Sequence, residues 1–122
     1  MSKTKIAEQI VIKWFSEQFP DYPISAQKPK NLPSKFAVLR RDGGERDTKV
    51  MDIADLQIEI YDKDSEFNCA TVASDVCDKI EDSLASYDKD IAKAKVYGAS
   101  NIGDERLQYF SYLIDFSVWY RR

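Results

Sequence analysis

The run Val50-Met51-Asp52-Ile53-Ala54-Asp55-Leu56-Gln57-Ile58-Glu59-Ile60-Tyr61 alternates with a period of two. Val50, Ala54, Leu56, Ile58 and Ile60 fall on one face, with Asp55, Gln57 and Glu59 opposite, the pattern of a half-buried strand. Asp62-Lys63-Asp64 then leads into a second run. There Cys69, Ala73, Val76, Ile80, Leu84 and Tyr87 recur at steps of three and four, which is one face of a helix. A long strand feeding directly into a long helix places the centre of a small α+β domain between Val50 and Tyr87. The flanking sequence covers that unit or extends its sheet.

Upstream, Thr4 to Phe19 reads as an amphipathic helix with Ile6, Ile10, Val11, Trp14, Phe15 and Phe19 on its apolar stripe. Pro20 ends it, because proline disfavours helical geometry in the preceding residue and donates no backbone bond. Pro20, Pro23, Pro29 and Pro33 are all the prolines of the chain. The segment between Pro20 and Ser34 is expected to be an extended connection with no ladder of its own, pinned by Tyr22, Ile24 and Leu32. Lys35 to Arg41 reads as a strand. Asp42-Gly43-Gly44 reads as a turn that tolerates positive φ, Glu45-Arg46-Asp47 extends the loop, and Thr48 begins the central strand. The two strands then form an antiparallel hairpin with a charged tip.

Downstream, Asp64 or Ser65 is placed to cap the second helix, and Glu66 favours its positive end. Asp75, Asp78, Glu81 and Asp82 crowd the exposed side of that helix. A calcium loop needs acids at alternating loop positions around a glycine, which continuous helix does not supply, so they read as a solvated face. Ile91 to Tyr97 is expected as a strand ending at Gly98, Ala99 to Arg106 as a loop, and Leu107 to Tyr120 as the last strand. That strand carries Phe110, Tyr112, Ile114, Phe116, Val118 and Tyr120 on one face and Tyr109, Leu113 and Trp119 on the other. One face packs on the helices; the other supports the proline segment or meets a neighbouring subunit. The expected fold is α+β, a mixed or antiparallel four-stranded sheet with two helices on one face, in the order α-β-β-α-β-β.

A chain of 122 residues, 43% hydrophobic and 32% charged, is read as one domain spanning residues 1–122 with a packed core. No apolar run approaches the roughly 20 residues that span a bilayer, and Met1-Ser2-Lys3-Thr4-Lys5-Ile6 reads as a mature cytoplasmic start. Cys69 and Cys77 lie roughly 12 Å apart along one helix, too far for a disulfide. The absence of histidine removes the commonest general base and metal ligand. No nucleophile is matched to a base, and no metal spacing occurs, so no catalytic, metal or cofactor residue is assigned. A carboxylate-dependent hydrolase or a nucleic-acid-processing accessory protein would need a cleft with convergent acids, such as Asp104, Glu105 and Asp115.

Charge is segregated. Lys28 to Lys49 holds seven basic and three acidic residues, a net of +4, whereas Asp52 to Asp90 holds twelve acids against three lysines, a net of −9. Oppositely charged segments in one small domain suit a head-to-tail contact between copies.

From Phe36 to Arg122 the chain resembles the tail terminator, or tail completion, proteins of long-tailed bacteriophages. The resemblance rests on Phe36-Ala37-Val38-Leu39-Arg40-Arg41-Asp42-Gly43-Gly44, on the strand ending Gln57-Ile58-Glu59-Ile60-Tyr61, on the alanine-rich helix, and on a last strand running from Tyr109-Phe110-Ser111-Tyr112 to Trp119-Tyr120-Arg121-Arg122. Leu107-Gln108 stands where the family usually has a proline. The resemblance implies a non-enzymatic virion protein that forms a hexameric ring. Such a ring caps the tail tube at its head-proximal end and offers the surface for head joining. It also implies assembly in the host cytoplasm and no membrane or cofactor. The implied partners are further copies of the chain, the major tail tube protein and a head-completion or connector protein, with DNA passing through without sequence-specific binding. The expected subunit or tube contact is the hairpin tip, Arg40, Arg41, Asp42, Glu45, Arg46 and Asp47. A second contact is expected around Tyr22, Pro23, Ile24, Lys28 and Lys30. The alternatives are a head-completion or connector protein of the phage neck, a small non-viral adaptor, and the carboxylate-dependent enzyme named above.

Overall fold

The computed structural model describes residues 6–46, 50–103 and 108–121. Helix α1 spans Ile6–Gln18 and buries Ala7, Val11, Trp14 and Phe15. The two-residue strand β1 (Ile24–Ser25) and the long β2 (Lys35–Arg46) follow. β3 is Met51–Asp62, and α2 begins at Glu66 and runs to Lys79. The helix continues through a wider π turn, Ile80–Leu84, into a last short helix, α3, at Ala85–Tyr87. β4 (Ile91–Asn101) and β5 (Phe110–Arg121) complete the chain.

The sheet is five-stranded and mixed, in the order β1-β2-β3-β5-β4. β1 runs parallel to β2, and every other neighbouring pair is antiparallel. β3 passes through α2 to β4 at the far edge, and β5 returns between them. The α+β class with two long helices agrees with the sequence reading, but the four-strand count and the α-β-β-α-β-β order do not. The proline segment does make a ladder: Ile24 and Ser25 pair with Ala37 and Val38, and the Ala37 amide donates to the Pro23 carbonyl at 2.8 Å. Proline lacks an N–H but keeps its carbonyl, so it can serve an edge strand from just outside it.

A second correction concerns Asp42-Gly43-Gly44. This is no turn. Gly43 pairs with Asp55 and Gly44 with Ala54, and β2 continues to Arg46 past a bulge between Arg41 and Gly43. A Cβ on Gly44 would sit 2.5 Å from the Ile53 carbonyl oxygen. Glycine is therefore required here by the approach of the next strand. β4 likewise does not stop at Gly98 but runs to Asn101, through register shifts at Ile91/Lys93 and Val96/Gly98.

Both helices contribute to one core. Trp14, Phe15 and Val11 from α1 join Cys69, Ala73, Val76, Ile80 and Leu84 from the second helical segment, over Leu56, Ile58, Ile60, Ile114, Phe116, Val118 and Tyr120 of the sheet. Each fully buried large apolar side chain contributes about 1.5–3 kcal/mol. The Trp14 indole N–H donates to Ser83 Oγ at 3.1 Å and ties α1 to the π turn. On the opposite sheet face a smaller cluster forms from Phe36, Val38, Tyr61 and Tyr109, with Leu32 packed against it. Phe36 stacks on Tyr61 with centroids 4.6 Å apart, and the Tyr109 hydroxyl donates to the Pro33 carbonyl at 2.5 Å. The proline segment thus covers one end of the second face.

Candidate interaction surfaces

Strand alternation sends Arg40 and Arg41 to opposite faces of the sheet. Arg40 Nε meets Glu59 Oε2 at 2.9 Å on the open face, and the Tyr61 hydroxyl donates to the other Glu59 oxygen at 2.8 Å. Arg41 reaches α1 on the helical face and meets Glu8 Oε1 at 2.7 Å. Partial burial lowers the Arg41 pKa, and Glu8 and Tyr120 together more than reverse that, so the guanidinium ends above its ordinary value. Neither arginine stands at a hairpin tip: both lie inside β2, opposite Gln57 and Leu56. Asp42 and Glu45 are exposed on the same strand, and Arg46 is its last residue. Asp47 lies outside the described residues.

The second predicted contact divides in the same way. Tyr22 is only 4% exposed. Its hydroxyl donates to Asp62 Oδ2 at 2.8 Å, and burial together with that carboxylate pushes the phenol pKa up. Pro23 and Ile24 are used in pairing β1 to β2. Lys28 is exposed with its ammonium 5.2 Å from the centre of the Tyr61 ring, and Lys30 is exposed as well. Of this group Pro23, Lys28 and Lys30 are exposed, Ile24 is half-buried and Tyr22 is buried.

Of the acids named for an enzymatic alternative, only Asp115 lies among the described residues. Asp115 accepts a bond from Gln57 at 2.8 Å on the open face, and Asp104 and Glu105 lie outside the described residues. Among the described residues no group of three or more acids, cysteines or histidines is arranged to hold a metal ion, and no helix is long and apolar enough to cross a membrane. Burial pushes the Cys69 thiol up to about 12, with Asp62 adding to it.

Sequence reasoning missed three features. A shallow hollow of about 470 Å³ lies beside β2, lined by Glu8, Gln9, Ile12, Ala26, Leu39, Arg40 and Arg41. Asp62 is a fully buried carboxylate that also accepts the amides of Asp64 and Ser65 at 2.9 and 3.0 Å. Finally, the charge segregation becomes spatial. α1 packs over β1 and β2 at one edge, while α2 and the π turn pack over β5 and β4 towards the other. The arginines of β2 therefore stand at one edge. The exposed acids Asp75, Asp78, Glu81 and Asp82 stand towards the opposite one.

Comparison of the chain with protein-family models and with curated protein sequences finds no match.

Proposed function

We propose that this protein is a ring-forming structural subunit of the tail-terminator type. It caps a phage tail tube and presents the surface for head joining, without enzymatic activity or cofactor. The observation that carries this reading is that the acids of α2 and the π turn lie towards the β4 side of the sheet and the arginines of β2 towards the other, with Lys93 and Lys95 the basic residues on β4 itself. An isologous dimer brings a patch against its own copy, whereas a basic edge and an acidic edge suit a heterologous contact repeated around a ring. The resemblance between Phe36 and Arg122 supplies the class of assembly: copies of the chain, the major tail tube protein on one side and a head-completion protein on the other. DNA crosses the lumen without base readout. On this reading the protein works in the virion at the head-proximal end of the tail, after assembly in the host cytoplasm.

The test is light scattering during size-exclusion chromatography, followed by electron microscopy of the protein mixed with purified phage tail tubes. Closed rings of about six copies seated on tube ends are expected. A monomer at every concentration that also leaves tube ends bare would overturn the reading. Rings that bind a portal-side neck protein and ignore tubes would move the assignment to a connector.

A further inference from the structure

The two sheet edges are not equally protected. Edge strands expose unpaired backbone groups and are usually blunted by charge, bulges or cover. The first half of β4 is guarded in this manner. Lys93 and Lys95 project from it, each over an aromatic ring (Trp119 at 4.6 Å and Tyr97 at 5.4 Å), and Glu81 accepts the outward Val96 amide at 3.1 Å. The second half, Tyr97-Gly98-Ala99-Ser100-Asn101, carries no charge and is exposed throughout. The Ile102 amide points inward to the Ser111 carbonyl at 3.0 Å. Backbone alternation then turns the Asn101 and Ala99 amides outward.

At the other edge β1 covers only Ala37 and Val38, and β2 continues beyond it to Arg46. β2 and β4 run in opposite directions, since three antiparallel pairings separate them. A copy rotated about an axis along the strands therefore brings its β2 antiparallel to β4 of its neighbour. Each junction uses one edge of each copy and leaves the other edge for the next, so the contact repeats, and it gives a ring where the rotation per copy closes.

We infer that subunits join by strand addition, the Tyr97–Asn101 half of β4 in one copy pairing with β2 beyond Val38 in the next. This rests on the ring reading and names its contact. A second copy is the occupant selected by strand direction and charge: Glu81, beside the β4 edge, lies on the helical face, the same face to which Arg41 of the incoming strand projects. Side chains of Ser100 and Arg40 lie on the same open face, opposite Leu113 and Gln57. A continuous sheet brings them side by side.

The experiment uses the full chain with Cys77→Ser, leaving the buried Cys69 in place. Ala99→Pro removes one outward amide and no bond within the subunit. It is expected to raise the half-assembly concentration at least tenfold with unchanged circular dichroism. Ala99→Lys, which keeps the backbone intact, is expected to do the same and covers the case in which the proline variant misfolds. Mixing Ser100→Cys with Arg40→Cys is expected to give oxidative cross-links that neither variant gives alone. Rings that survive both Ala99 substitutions would overturn the strand-addition contact and leave the ring reading standing. Cross-linking of Ser100→Cys by itself would overturn it in favour of a two-fold β4–β4 dimer. A parent protein that stays monomeric and also leaves tube ends bare would overturn the ring reading and this contact with it.

Discussion

The Tyr22 hydroxyl donates to Asp62 Oδ2 at 2.8 Å, although the two residues are separated by 40 positions. Asp62 ends β3 with its side chain fully buried, and its second oxygen turns the chain into α2 by accepting two amides. One carboxylate therefore fastens the proline segment to the strand–helix junction. Tyr22→Phe is expected to cost about 1–3 kcal/mol, because it leaves a buried acceptor short of one donor. Asp62→Ala should cost more, since it strips three donors at once. Urea denaturation with an unchanged m-value checks both.

The same pair sets an alkaline limit. Burial and Asp62 hold the Tyr22 phenol pKa above its ordinary 10.0. Between the ordinary value and the raised one, the unfolded chain releases the proton and the folded chain keeps it. The contribution to stability is full below pH 10 and is lost as pH rises through the folded pKa. Wild type should lose stability above pH 10 more steeply than Tyr22→Phe. Parallel slopes in pH-dependent urea melts would remove Tyr22 from the account.

Gly44 and Gly98 separate two uses of glycine. At Gly44 an added methyl meets the Ile53 carbonyl oxygen at 2.5 Å, backbone that cannot swing aside, so Gly44→Ala is expected to cost about 1–3 kcal/mol. At Gly98 nothing lies within 4 Å, and Gly98→Ala is expected to be neutral or stabilising by up to about 1 kcal/mol. Equal melting temperatures for the two variants would contradict the bulge packing.

These two glycines also mark what the sequence could convey. Alternation in Val50 to Tyr61 and the three-and-four spacing from Cys69 to Leu84 were legible because each element is buried on one side. The Ser65 cap was legible because its oxygen has a local target, the Asn68 amide at 3.0 Å. A turn and a bulge both favour Gly-Gly, so Asp42-Gly43-Gly44 is ambiguous until the partner strand is known. β1 is two residues long and has no period to detect. The end of β4 is exposed on its edge, so its apolar pattern fades while its pairing continues. Arg40 and Arg41 stand out in the sequence by their charge, but their partners Glu59 and Glu8 are set by tertiary structure.

Ser111 Oγ is buried beside Tyr61 with no hydrogen-bond partner among the described residues. Ser111→Ala is expected to stabilise the fold by about 1 kcal/mol, because an unmatched hydroxyl is removed from an apolar setting. A drop in the urea midpoint would show that the hydroxyl has an unrecognised role.

The acidic side offers the cleaner test of the charge-driven contact. Reversing Arg40 or Arg41 sets a new carboxylate against Glu59 or Glu8, so lost assembly there would be mixed with lost folding. Asp78 and Asp82 are exposed on the helix and hold no ion pair among the described residues. Asp78→Lys with Asp82→Lys should leave the monomer within about 0.5 kcal/mol of wild type. Exposed ion pairs contribute about 0.2–1 kcal/mol each, so the double reversal should weaken ring association several-fold to tenfold. The difference should shrink as salt rises, because the screening length falls from about 10 Å at 0.1 M to about 3 Å at 1 M. Sedimentation across that range reads both effects. Association that is unchanged at low salt would show that opposite charge at the two edges does not drive the assembly.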